Sequence, residues 1–140
     1  MSKVAVVYWS GTGNTEQMAE LVAEGARVAG AEISIFSASE FSKDMVSSYD
    51  AIAFGCPSMG VEELEDSEFE PMFSDCKESL KDKKIALFGS YGWGDGEWMR
   101  NWEEECRSSG ADLICEGVIC NEAPDDKSKE ACILLGKNLV

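Results

Sequence analysis

The sequence predicts an α/β domain in which a doubly wound parallel sheet of about five strands carries helices on both faces. Three observations point to it. Five short apolar or β-branched segments punctuate the chain, and the stretches between them change to helical spacing. Three of the five are nearly continuous in apolar character instead of alternating, as expected of strands covered on both faces. The 140 residues fit a single domain spanning 1–140, because a second domain would need roughly another hundred. No repeat, low-complexity tract or linker divides them, and Pro57, Pro71 and Pro124 fall outside the apolar runs.

Lys3 to Tyr8 forms the first strand, followed by Met18, Leu21, Val22 and Val28 at helical spacing, with Glu16, Glu20 and Glu24 on the opposite side. Glu32 to Phe36 reads as the second strand, and a short helical turn around Phe41, Met45 and Val46 leads to the third, Ala51 to Gly55. Phe69, Met72, Phe73 and Cys76 mark the next helix, and Lys84 to Gly89 the fourth strand. Trp98, Trp102 and Cys106 mark a further helix, packing inward. A single strand is expected over Asp112 to Cys120, then a terminal helix with Ala131, Leu134, Leu135 and Leu139 inside. Strand and helix alternate throughout, so the crossovers should be right-handed.

Composition removes whole classes of chemistry. Twelve Lys and Arg against 27 Asp and Glu leave a net charge of -15. Nucleic acids and anionic membrane surfaces are therefore not expected as partners, and a monomer is. Histidine is absent, which excludes Ser-His-Asp triads and imidazole metal sites. No apolar run approaches the ~20 residues that span a bilayer, and Met1-Ser2-Lys3 leads straight into Val4 without a signal-peptide pattern, so a cytoplasmic protein is expected. None of the six cysteines forms a C-x-x-C pair, so buried, inert thiols are expected and no metal site. Cys115 and Cys120, an odd number of positions apart in one strand, should face opposite sides.

Ligands of an open parallel sheet bind beyond the carboxyl ends of its strands. The loop after the first strand reads Trp9-Ser10-Gly11-Thr12-Gly13-Asn14-Thr15 and opens into a helix. It offers hydroxyls, an amide and backbone N–H groups to a small anion at a helix N-terminus. It lacks the lysine of a Walker loop and the third glycine of G-x-G-x-x-G, so a monophosphate held by neutral donors suits it best. The loop Cys56-Pro57-Ser58-Met59-Gly60-Val61-Glu62 follows the third strand, and Ser90-Tyr91-Gly92-Trp93-Gly94-Asp95-Gly96 follows the fourth. Trp93, set between glycines, is no core residue, and a planar ring ligand would explain it.

Three stretches together resemble the flavodoxins, and specifically the short-chain kind of clostridia and related anaerobes: Val7-Tyr8-Trp9-Ser10-Gly11-Thr12-Gly13-Asn14-Thr15-Glu16, Met59-Gly60-x-Glu62, and Phe88-Gly89-Ser90-Tyr91-Gly92-Trp93-Gly94. The resemblance runs from the first strand to the last helix. It implies a flavodoxin-like sheet in strand order 2-1-3-4-5, an order for which flavodoxins are the standard example and which the residues alone do not derive. It also implies FMN as cofactor and a low-potential one-electron carrier, shuttling between semiquinone and hydroquinone to serve soluble redox enzymes. By the same resemblance, Ser10, Thr12, Asn14 and Thr15, with the backbone of Gly11 and Gly13 and with Ser90, would hold the phosphate. Trp93 and Met59 would cover the two faces of the ring, and Glu62 would accept from flavin N3–H. Gly60, Val61, Tyr91, Gly92 and Gly94 would complete the cofactor loops, and Asn121 would meet the ribityl chain.

Two physical points agree with that role. Gly60 suits the first central position of a type II′ turn, where φ is positive, so the Gly60–Val61 peptide can turn its carbonyl toward flavin N5. The site lacks a matched cation in a chain of net charge -15, which opposes the anionic hydroquinone. Val61, β-branched, departs from the small or polar residue usual there and hinders the turn. Glu62, Glu63, Glu65, Asp66, Glu68 and Glu70 place six carboxylates in nine residues. They read either as a solvated helix start or as an anionic rim for basic patches on redox partners. An FMN-dependent oxidoreductase on the same fold is the alternative. A response-regulator receiver is excluded, because Tyr8-Trp9-Ser10 and Gly55-Cys56-Pro57 occupy the positions where its acids belong.

Overall fold

A computed structural model describes residues 2–140. Its elements follow the expected alternation: β1 Lys3–Tyr8, α1 Asn14–Val28, β2 Glu32–Ser37, β3 Ala51–Gly55, α2 Phe69–Lys77, β4 Lys84–Tyr91, α3 Glu97–Ser108, β5 Asp112–Leu113, β6 Val118–Asn121 and α4 Asp126–Asn138. All neighbouring strands pair parallel, in the order β2-β1-β3-β4-β5. The central register places Val4 against Ala51 and Ala51 against Lys84.

The continuous apolar runs are explained by a core on each face. Ala5 and Val7 of β1, with Ile52, Phe54, Ile85 and Leu87, pack under Phe69, Phe73, Trp98 and Trp102 of α2 and α3. Val4 and Val6, with Ala51, Ala53, Ala86 and Phe88, pack under Met18, Val22, Cys132 and Leu135 of α1 and α4. Successive strand residues point to opposite sides, so both alternating sets have to be apolar, and each fully buried large side chain contributes about 1.5–3 kcal/mol. The α1–α4 contact is backbone-close: a Cβ on Gly25 would stand 1.9 Å from the Ile133 carbonyl oxygen, and one on Gly136 would stand 1.9 Å from that of Val22.

Several expectations are corrected. The fifth strand is not continuous over Asp112 to Cys120. β5 pairs with Lys84 and Ile85, the chain leaves the ladder, and β6 pairs with Phe88 to Tyr91 in the same lane. The carboxylate of Glu103, buried on α3, accepts the Gly117 N–H at 2.6 Å and so holds the chain where it leaves the ladder. The break overturns the parity argument for Cys115 and Cys120, because both pack against the α1/α4 core. Val28 and Leu134, expected inside, are exposed. Leu135 and Leu139 are buried as expected, and Cys132 joins them on the inner face of the C-terminal segment. The turn around Phe41 consists of two 3-10 turns, Ala38–Glu40 and Lys43–Ser48. Phe41 lies buried between them against Phe36, Tyr49 and Phe54.

All six cysteines are free. Burial pushes the thiols of Cys56, Cys106 and Cys132 up to about 12 and those of Cys76 and Cys120 to about 11, so they stay protonated and unreactive. Among the described residues no helix is long and apolar enough to cross a membrane.

Candidate cofactor site

β1, β3 and β4 end side by side, and the loops that leave them enclose a cleft of about 540 Å³. Its first wall is Trp9 to Thr12 with Asn14 and Thr15, its second Pro57 to Met59, and its third Ser90 to Gly92 with Glu122 and Ala123. The helix behind the first wall starts without a side-chain cap, from Gly13 at φ 97°. Its first-turn amides have no partner of their own within the helix, which makes this end a ready anion site. Ser10 Oγ accepts the Gly13 N–H at 3.1 Å, which shapes the loop and leaves its own hydroxyl hydrogen to donate. Buried Thr15 Oγ1 and Ser90 Oγ hydrogen-bond at 2.8 Å and tie the helix start to the end of β4.

The second loop closes differently from the expected turn. Met59 and Glu63 exchange both backbone hydrogen bonds at 2.8 Å, leaving three residues, Gly60, Val61 and Glu62, between them. Gly60 has the anticipated positive φ, 55°, but Glu62 has one too, 54°, so this is a three-residue loop and not a type II′ turn. Val61 projects from its tip, 75% exposed. Glu62 reaches across to the third loop, where its Oε1 accepts the Glu97 N–H at 3.0 Å at the start of α3. A Cβ on Gly94 would stand 2.5 Å from the Glu62 carboxyl carbon, so a glycine at 94 is what admits the carboxylate.

Met59 lines the cleft and is partly exposed. Trp93, 57% exposed, stands outside its wall, as do Gly13, Gly60, Val61, Glu62 and Gly94. Tyr91 is half-buried and leans on Trp98, the ring centres 5.5 Å apart. Asn121 is exposed at the end of β6, opposite Tyr91, and the wall there is made by Glu122 and Ala123. Glu122, at φ 59°, donates its N–H to the Tyr91 carbonyl at 2.7 Å. Sequence reasoning missed Trp9, Pro57, Ser58, Glu122 and Ala123 as wall residues. Trp9 lies within one recognised motif, Pro57 and Ser58 precede another, and Glu122 and Ala123 follow the expected Asn121, where β6 pairing onto β4 brings them to the cleft. Ser58 is notable because its Oγ is buried and has no hydrogen-bond partner among the described residues.

The anionic rim loses one expected member. Glu65 is only 5% exposed, and it caps α2: Oε1 accepts from the Glu68 and Phe69 N–H groups, both at 2.8 Å, and Oε2 from the Ser67 N–H at 2.9 Å and from the Ser67 hydroxyl. Burial alone would raise its pKa, but these hydrogen bonds outweigh it and hold the carboxyl below its ordinary value. Glu63, Asp66, Glu68 and Glu70 remain exposed and Glu62 partly so. Glu68 also accepts from Trp9 Nε1–H at 3.1 Å, joining the rim to the cleft.

Residues 6–136 match the family model described as Flavodoxin. The flavodoxin of Megasphaera elsdenii is 49% identical over 123 residues, 88% of this chain and 89% of that protein. The chain belongs to the flavodoxin family. A second flavodoxin, from Clostridium beijerinckii, is 43% identical over 134 residues, 96% of each chain. The solution structure of two-electron reduced Megasphaera elsdenii flavodoxin superposes with a TM-score of 0.90 at 47% identity, covering 97% of both chains. As a flavodoxin the protein uses FMN, and it is a small electron carrier without substrate turnover of its own. The oxidoreductase alternative yields to that role. The site's chemistry fits the cofactor: an uncapped helix start for the phosphate, apolar and aromatic walls for the ring, and an unpaired hydroxyl between them.

Proposed function

We propose that this flavodoxin holds the FMN phosphate at the start of α1, through Ser10, Thr12, Asn14 and Thr15 and the backbone of Gly11 and Gly13, with Ser90 behind them. The observation that carries this assignment is the uncapped helix start opening into the cleft, where amide donors and the positive end of the helix dipole converge. Met59 and Trp93 cover the two ring faces, Tyr91, Gly92 and Gly94 shape the edge, and Asn121 lies toward the ribityl chain. Glu62 accepts from flavin N3–H through Oε2, which takes no hydrogen bond among the described residues. The positive φ at Gly60 supports a Gly60–Val61 peptide that turns its carbonyl toward N5.

When bound, FMN supplies one electron at a time. The protein's part is to exclude water from the ring and to set the potentials through these contacts and its own negative charge. Glu62, Glu63, Asp66, Glu68 and Glu70 form the rim on which soluble redox enzymes with basic patches dock, and the carrier works as a monomer in the cytoplasm. The deciding experiment is a visible spectrum of the purified protein during stepwise anaerobic reduction. A yellow protein that gains a long-wavelength band after one electron supports the reading. Direct two-electron bleaching, or failure to take up FMN, overturns it.

A further inference from the structure

Ser58 lines the cleft between Pro57 and Met59, yet its Oγ is buried and unpaired among the described residues. A buried hydroxyl without a partner is unfavourable by about as much as a lost hydrogen bond, so such groups are rare in folded proteins. The backbone of this residue is held firmly. Its N–H donates to the Ser90 carbonyl at 3.0 Å, which pins the loop to β4 and leaves only the hydroxyl free to turn. A serine side chain has three staggered positions about χ1, and exchange between them is a picosecond to nanosecond event. Rotation about χ1 would redirect Oγ without moving the main chain.

The position of Ser58 selects the part of the ligand it meets. The anion end of the cleft is the start of α1, after β1, and Ser58 belongs to the neighbouring lane, three residues past the end of β3. Ser90 links the two ends, since its carbonyl accepts from Ser58 and its hydroxyl bonds Thr15 in the first turn of α1. On the other side of Ser58 stands Met59, the ring cover. The portion of FMN between phosphate and ring is the ribityl chain, which carries three hydroxyls. Resting on the FMN-site reading above, we infer that Ser58 Oγ hydrogen-bonds a ribityl hydroxyl of bound FMN, so that a hydroxyl without a protein partner gains one from the cofactor.

The test is Ser58→Ala, with flavin binding followed by fluorescence titration and apoprotein stability by thermal melting. Three probes divide the ligand: FMN, riboflavin without the phosphate, and lumiflavin without phosphate or ribityl chain. The expected result is a loss of about threefold to tenfold in affinity for FMN and, by the same factor, for riboflavin. Lumiflavin binding should not change, and the apoprotein should melt at the same temperature or higher, because the alanine removes an unsatisfied buried group. Unchanged FMN affinity overturns the inference. So does a loss confined to FMN, which places the hydroxyl on the phosphate, or one shared by lumiflavin, which places it on the ring. A lower apoprotein melting temperature assigns Ser58 a structural role and also overturns it. If the parent protein takes up no FMN, the underlying FMN-site reading falls, an outcome distinct from all of these.

Discussion

At the scale of single residues, Gly60 and Glu65 show how chemistry is placed. Gly60 holds a φ of 55° that an L side chain adopts only at a cost of about 1 kcal/mol. Gly60→Ala should therefore narrow the gap between the two one-electron midpoint potentials by roughly 40 mV, and Val61→Gly should widen it. Potentiometric titration checks both, and a gap untouched by either variant disproves the peptide turn. Glu65 is read from the sequence as one acid among six, but its four hydrogen bonds make it the cap of α2. Glu65→Gln keeps the shape and loses the charge, and it should cost about 1 kcal/mol at neutral pH. The folded pKa of Glu65 is lowered, so the charge stabilises above the ordinary carboxyl pKa and is lost as pH falls through the folded value. The stability gap between parent and variant should accordingly close as pH falls from the ordinary carboxyl range through the lowered folded value, read in denaturant titrations. A gap that stayed constant across that range would show that the charge plays no part.

At the scale of elements, the strands and most helices are legible because their periods differ and the continuous apolar runs leave little choice. The exceptions are instructive. Asp112 to Cys120 is apolar enough for one strand, but Glu103, a helix and a loop earlier in the chain, binds the Gly117 N–H and holds the chain off the ladder there. Nothing within the segment signals a partner so far away. Leu134 fits a helical stripe as well as Leu135 does, and only the approach of α1 selects the inner one. That approach depends on Gly25 and Gly136, where an added Cβ would meet a carbonyl oxygen at 1.9 Å. Alanine is the better helix former by about 1 kcal/mol, so propensity predicts that Gly136→Ala stabilises. The packing predicts the opposite, a loss of about 1–3 kcal/mol, and chemical denaturation decides between them.

At the scale of the whole molecule, a net charge of -15 acts over longer distances than any contact, and the exposed rim concentrates it beside the cleft. Electron transfer to a partner with a basic patch should slow as salt is added. The pair of reversals Glu63→Lys and Glu70→Lys should slow transfer at low salt and flatten that dependence, while leaving FMN affinity unchanged. Stopped-flow rates across ionic strengths check this, and a rate indifferent to salt in the parent counts against steering. The sequence by itself determined the α/β class, the alternation of elements and the three loops, because hydrophobic period and glycine-rich polar turns are local properties of the chain. It also determined what chemistry was absent, since a chain without histidine has no imidazole to place. Only the tertiary structure decided which of six acids cap a helix and which face outward, where the last strand breaks, and that Ser58, Glu122 and Ala123 line one cleft with the loop after β1. Each of those depends on groups far apart in sequence meeting at the ends of parallel strands, and such a meeting leaves no mark on the local pattern.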